Sequence, residues 1–445
     1  MKQFFNFKKL FSPFLESLGL PLSDSDIYIG KIKGSFFRKE YLSEEELNHH
    51  VHVVGASGFG KTVLLSKILK SRLQKGSGAL WIDLKGERET IEKMIGTVKS
   101  LGREKDLKIF SISHPNISTS YNIIRRGDAT EIRDKIFGCF KWGDEFYKNE
   151  AFSYLLKILT GLVWLRDNAQ KEFDLEILLN ACSDVSFVEE LCLAIPNSEM
   201  AVKRNLESCY SYLNNKDTYG YIAGLRSQLE SLVLSSFGKF LKAQPEGINL
   251  FDEVNNQKIV FIFLDSRRYK ETTKVIGRLI VQDIISTSAK IDADIPRNER
   301  KFFNCIIDEF ADLAEDYFLG FPDRARSSKV TLTLAHQEMA DLRAVSDEFE
   351  ERLTGNVSTL YAFLQPNQTS AEIVSKRGGT KTVWKETHKA QRLGPITLKT
   401  GDKSLREVEE FNIHPNVVKS LRVGECVVVK KYPYSRAHVV RVDEN

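Results

Sequence analysis

Val51-His52-Val53-Val54-Gly55-Ala56-Ser57-Gly58-Phe59-Gly60-Lys61-Thr62-Val63-Leu64-Leu65-Ser66-Lys67-Ile68-Leu69 is the stretch whose reading decides the fold. It is a short apolar strand, a glycine turn and the start of a buried helix, the setting in which G-x-x-x-x-G-K-[ST] is a phosphate loop. Glycines let the backbone wrap closely around a phosphate, so successive N–H groups and the positive end of the following helix face the anion. Gly55, Ala56, Ser57, Gly58, Phe59, Gly60, Lys61 and Thr62 are then the nucleotide cradle. Lys61 reaches the β- and γ-phosphates, and the Thr62 hydroxyl holds Mg²⁺. The expectation is a nucleoside triphosphate site.

A second stretch, Phe302-Phe303-Asn304-Cys305-Ile306-Ile307-Asp308-Glu309, is an apolar strand that ends in two acids. At the carboxyl end of a sheet strand, Asp308 takes Mg²⁺ through its water shell and Glu309 polarises the attacking water. The pattern is weak alone and strong downstream of a full phosphate loop. The glutamate favours ATP hydrolysis over passive nucleotide holding. A third strand, Lys329 to Ala335, runs into His336-Gln337, where Gln337 suits sensing the γ-phosphate or orienting water. Arg324, Arg326 and Arg352 lie in the same region; an arginine from an adjacent subunit stabilises charge in a phosphoryl transition state. Hydrolysis requires that Lys61 and Glu309, far apart in sequence, face one leaving group.

The 445 residues exceed the roughly 250–300 at which a single core stops growing, so more than one domain is expected. With 42% hydrophobic and 28% charged residues the composition is that of a globular protein, not a disordered or fibrous one. A net charge of +4 permits a nucleic-acid partner without requiring one. The six cysteines form no C-x-x-C pair and read as reduced core residues of a cytosolic protein. No signal peptide is evident, and no run approaches the ~18–20 apolar residues of a membrane span, so the expected location is cytoplasmic.

Along the chain, residues 1–25 form an N-terminal segment. Within it Phe4, Phe5, Phe7, Phe11 and Phe14 are interleaved with Lys2, Lys8 and Lys9, and Pro13 breaks the helical pattern. The segment suits peripheral contact of residues 1–20 with an anionic membrane or a partner's groove, or a terminal helix folded onto its own domain. Residues 26–127 alternate strands and helices as the first part of a nucleotide-binding domain. Residues 128–245 carry apolar positions at helical spacing and read as an all-α insertion. Its Tyr210, Tyr212, Tyr219 and Tyr221 suit base stacking, though half-buried helix positions account for them better. Residues 246–445 return to strands and end in C-terminal strands. The fold class is α/β, a mostly parallel sheet with an inserted all-α domain.

In this order the motifs resemble the motor domain of the type IV coupling proteins of conjugation and type IV secretion (the TraD/TraG family), within the FtsK/HerA group of ring-forming DNA pumps. The likeness rests on His50 to Thr62, Trp81 to Glu87, Ser120-Tyr121-Asn122, Ile307 to Leu313, Ala335-His336-Gln337 with Asp341-Leu342, and Gly355 to Thr359. Arg406 to Glu410 and Leu421 to Glu425 suit one branch of that family. It covers most of the chain from about residue 26. The resemblance implies a RecA-like ATPase that binds ATP and Mg²⁺, assembles as a homo-hexamer around DNA, and meets a relaxase or other secretion substrate and the channel. It also implies that Arg326, eleven residues before Gln337, is the trans-acting arginine. Most coupling proteins carry N-terminal transmembrane helices and this sequence shows none, so residues 1–20 become the candidate for docking at the inner face of the membrane. Two other readings stay open: a soluble FtsK/HerA-type DNA translocase in genome maintenance or defence, and a nucleotide-gated receptor for protein cargo that pumps no DNA.

Overall fold

The apolar runs read as strands form strands, and each belongs to one of two compact units. The computed structural model describes residue 23, residues 25–393 and residues 396–443, side chains at 387–404 excepted. The N-terminal segment assigned above to membrane or partner contact therefore lies almost wholly outside the described residues. Unit one comprises Met1–Ile68 and Thr333–Asn445, and unit two Leu69–Leu332. These limits differ from the boundaries drawn from composition at 127/128 and 245/246. Composition registers where helices replace strands, whereas packing registers what the helices lean on. The first helix of the helical stretch, Ala129–Cys139, is fixed to helix Lys270–Asp294 by Lys135, whose buried ammonium lies 2.6 Å from Asp283. Tyr121 donates to the same carboxylate at 2.7 Å.

In unit one the strands are β1 (Ile27–Ile32), β2 (Lys39–Leu42), β3 (Val51–Val54), β9 (Thr359–Ala362), β12 (Glu425–Lys430) and β13 (Arg436–Val442), with the end of β8 (Val330–His336). Their order is β2-β1-β13-β12-β9-β3-β8. β3 runs parallel to β8 and β9, while β12 pairs antiparallel with β9 and β13, and β1 antiparallel with β13 and β2. Val54, Leu360, Ala362, Val427 and Val429 join Ala371 and Val374 of helix Gln368–Gly378 in one apolar core. A long antiparallel ribbon, β10 (Thr380–Leu393) with β11 (Ile396–Phe411), forms a separate two-stranded sheet.

Unit one also buries a charge network. Lys430 of β12 lies 2.6 Å from Glu40 and 2.8 Å from Glu46, and His438 lies 2.8 Å from Glu40. Taking charges out of water is costly unless each is matched, and here the Lys430 ammonium meets two carboxylates. Burial alone would push the Glu40 carboxyl up, but the Lys430 ammonium and the His438 contact override it and hold it at about 2.

In unit two β7 (Phe303–Asp308), β4 (Gly78–Asp83), β6 (Ile259–Phe263) and β5 (Leu107–Ser111) follow one another in that order, and the paired strands are parallel. β4, β6 and β7 are buried along their whole length, which is why they read as unbroken apolar runs without alternation. Between 129 and 241 every element is helical. Asp128, Asp144, Asp174 and Asp184 start four of these helices, each carboxylate accepting from backbone N–H groups of the first turn. Among the described residues no helix is long and apolar enough to cross a membrane.

Candidate nucleotide site

In unit one the loop after β3 has the shape its glycines require. Gly55, Gly58 and Gly60 lie at φ of 156°, 81° and 115°. At Gly55 a side chain is excluded twice over, by conformation and because its Cβ would stand 2.4 Å from the Cβ of Phe363. The Gly55 N–H donates to the Gln337 carbonyl at 2.9 Å and the Ala56 N–H to the Leu364 carbonyl at 3.0 Å. The mouth of the loop is thus hung from the ends of β8 and β9. Lys61 opens helix Lys61–Gln74, is 4% exposed, and donates from Nζ to the Gly55 carbonyl at 2.5 Å. A buried ammonium drawn onto the loop's own carbonyl is a cation poised for an anion in the same cradle.

Beneath the loop, His52 of β3 and His336 of β8 meet at 2.6 Å between their Nε2 atoms, and both are fully buried. One ring donates and the other accepts, so the pair holds a single proton at that contact. Burial, and then the neighbouring His336 and Arg377, keep the His52 pKa well below its ordinary value.

In unit two the carboxyl ends of β4 and β7 bring acids together. Asp83 stands opposite Asp308 in register. Burial and the facing Asp308 push the Asp83 carboxyl up to about 6, against the opposing pull of Lys85. Lys85 reaches across to Glu309, Nζ to Oε1 2.6 Å, with the side chains 22% and 13% exposed. Burial would lower the Lys85 pKa, but Asp308, Glu309 and Asp83 outweigh it and raise it. Glu309 sits at φ 58° and ψ 41°, a left-handed conformation that costs a non-glycine residue about 1–3 kcal/mol. Its N–H donates to Asp308 Oδ1 at 3.0 Å. The strained turn aims the two carboxylates of consecutive residues differently, one at the strand end and one at Lys85.

The residues expected from sequence are therefore found as follows. Gly55 to Thr62 form the loop and helix start in unit one, and Gln337, an exposed residue, adjoins them through its backbone carbonyl. Asp308 and Glu309 end β7 in unit two. Arg326 lies on the short helix Phe321–Ser327, half-buried, with Asp323 3.7 Å away. Asp83 and Lys85 received no role from sequence. The available signal was that Gly78 to Asp83 is an apolar run of the same length as β7, ending in the same residue type. Two of the tyrosines considered for stacking are engaged within the helices: Tyr212 donates to Glu150 at 2.8 Å, and the Arg226 guanidinium covers Tyr219 at 3.8 Å. Among the described residues no group of three or more His, Cys, Asp or Glu side chains is arranged to hold a metal.

Residues 303–416 match the family model described as the TraM recognition site of TraD and TraG. Type 4 coupling protein DotL of Legionella pneumophila is 21% identical over 372 residues, covering 72% of this chain and 47% of DotL. The chain thus spans about half the length of that curated relative. Among solved structures, the bacterial conjugative coupling protein TrwBdeltaN70 superposes with a TM-score of 0.67 at 14% identity, over 97% of this chain and 92% of its own. TrwB in complex with ADP and Mg²⁺ gives 0.59 at the same identity and the same coverage. VirB4 of Thermoanaerobacter pseudethanolicus gives 0.58 at 14% identity, over 95% and 97% of the two chains. The fold is that of TrwB, α/β with helices about parallel strands. The family segment, the curated relative and the TrwB structures lead to one group, and the type IV coupling proteins are what this chain resembles.

Proposed function

We propose that this chain is the ATP-hydrolysing motor of a type IV coupling protein, delivering DNA with a bound relaxase or other protein substrate to a secretion or conjugation channel. The observation that carries the reading is the glycine cradle closed by Phe363, with the buried Lys61 ammonium drawn into it. A cradle of glycines at positive φ, lined by a cation, fits a polyphosphate, and the nucleotide complexes of TrwB support ATP with Mg²⁺ as its occupant. Lys61 and the loop N–H groups hold the phosphates, and Thr62 and Asp308 hold the metal. Bound there, Mg²⁺ supplies neutralisation of charge on the phosphate oxygens. Glu309 orients and polarises water, Lys85 holds that carboxylate in place, and Gln337 senses the phosphate end.

The motor works as a homo-hexamer, with Arg326 supplied to a neighbouring subunit's nucleotide. Attachment at the inner face of the cytoplasmic membrane is peripheral, through residues 1–20. The deciding experiment is the ATPase rate as a function of protein concentration, with and without single- and double-stranded DNA. Turnover that rises with concentration and with DNA supports the motor. Turnover indifferent to DNA, with protein cargo still bound, removes the pump and leaves a cargo receptor; co-purification with a nuclease and no secretion component favours a genome-maintenance translocase.

A further inference from the structure

The turn joining β1 to β2 projects two aromatic rings into water. Phe36 is 98% exposed and Phe37 87%, their ring centroids 6.4 Å apart. The turn is well formed. The Ile32 N–H donates to the Arg38 carbonyl at 3.0 Å, the Ser35 N–H to the Ile32 carbonyl at 3.2 Å, and the Arg38 N–H to Ser35 Oγ at 3.2 Å. The rings are therefore displayed by a closed hairpin. Around them stand Lys31, Lys33, Arg38 and Lys39, all exposed, with no acid anywhere between 31 and 39. Lys33 has Glu425 at 2.9 Å and Lys39 lies 5.6 Å from the centre of the Tyr28 ring, while Lys31 and Arg38 extend the collar.

Leaving two phenylalanines fully hydrated forfeits the burial that such side chains ordinarily gain, so the arrangement needs an apolar partner. We infer that the β1–β2 hairpin tip is a membrane anchor, Phe36 and Phe37 entering the acyl boundary of an anionic bilayer while Lys31, Arg38 and Lys39 meet lipid phosphates. The geometry favours lipid over nucleic acid. Readers of single strands set their rings along a cationic groove. Here the rings form the apex and the cations stand behind them, one to five residues back, the order in which acyl chains and headgroups are layered. The charge matches as well, since Lys31, Arg38 and Lys39 are attracted to a negative surface within about a Debye length. The sequence preceding β1, with Phe4, Phe5, Phe7, Phe11 and Phe14 among Lys2, Lys8 and Lys9, has the same chemistry. Stable peripheral attachment takes two weak anchors, and the tip is one of them.

The test uses the whole chain with Phe36→Cys carrying a polarity-sensitive dye. All six native cysteines are buried, so the new thiol is the accessible one. The dye's emission should shift to the blue and brighten with phosphatidylglycerol-containing vesicles, less so as salt rises, and stay unchanged with phosphatidylcholine vesicles or a single-stranded oligonucleotide. In parallel, Phe36→Glu/Phe37→Glu should lower vesicle co-sedimentation by about 10-fold or more with an unchanged melting temperature. The proposal is overturned if the dye ignores anionic vesicles, if it responds to the oligonucleotide in their place, or if the double variant sediments like the unaltered chain.

Discussion

Replacing Lys85 by methionine keeps the length of the side chain and removes the cation that faces Asp83, Asp308 and Glu309. At 2.6 Å from Glu309, with both side chains mostly shielded, the pair is worth about 6 kcal/mol of attraction at an effective dielectric near 20. Relief of the lysine's own desolvation offsets part of that, which leaves an expected loss of about 2–4 kcal/mol. The melting temperature of a unit this size should fall by about 5–10 °C. The loss should also depend on pH. Asp83 already titrates at about 6, above the carboxylate range of an unfolded chain, and without Lys85 it moves higher. The folded protein then holds a proton that the unfolded chain has released, so stability falls as pH rises through that window. The deficit of Lys85→Met against the parent should therefore be largest near pH 8 and shrink towards pH 5. Differential scanning fluorimetry at the two pH values reads this directly, and the double variant with Glu309→Gln should recover at least about 1 kcal/mol relative to additivity. A deficit below about 0.5 kcal/mol, or one that is equal at both pH values, would refute the assignment of Lys85 as the counter-charge of the acidic strand ends.

Four further outcomes are expected. Glu309→Gln should bind nucleotide as tightly as the parent in a filter assay while turnover drops by about 10²–10⁴-fold; normal turnover removes the water-polarising role. Gly55→Ala must fit a Cβ where Phe363 already lies, so it should lose nucleotide binding and melt earlier, and unchanged affinity for a fluorescent analogue would contradict the cradle. Glu40 has its carboxyl held down, so its contribution of about 3 kcal/mol is present above pH ~4.5 and lost as pH falls towards 2; Glu40→Gln should flatten urea-derived stability across that window and lower it at neutral pH. Arg326→Ala should abolish turnover in pure rings and regain it in rings mixed with Glu309→Gln subunits; undiminished turnover in the pure variant strikes Arg326 from the site.

The glycine loop after β3 was legible because its shape dictates its sequence: a turn with three residues at positive φ tolerates little but glycine. β7 was legible for a related reason, since a strand buried on both faces has to be apolar until the acids at its end. Asp83 and Lys85 were harder to assign. A lysine two residues beyond a strand looks like any solvated lysine until the register sets Asp83 against Asp308 and the turn brings Lys85 to Glu309. The Lys430 network was illegible for the opposite reason. A lysine closing the run Val427-Val428-Val429 reads as a strand end meeting water, and only antiparallel pairing of β12 with β13 and the placing of Glu40 and Glu46 show it to be interior. The limits of the compact units leave no trace in composition, because they follow packing such as the buried contacts of Lys135 and Tyr121 with Asp283.

The imidazole couple under the phosphate loop makes that part of the molecule intolerant of acid. A second hydrogen at the contact would turn two N–H groups on each other 2.6 Å apart and leave a net charge in a place water does not reach, whereas in an unfolded chain the His52 ring accepts one freely at about pH 6.5. Every unit of acidification below that value therefore favours the opened chain by about 1.4 kcal/mol until the buried ring at last yields. The strands being parted would be β3 and β8, whose last residues steady the mouth of the cradle, so mild acid should blunt the grip on polyphosphate well before the chain as a whole comes apart.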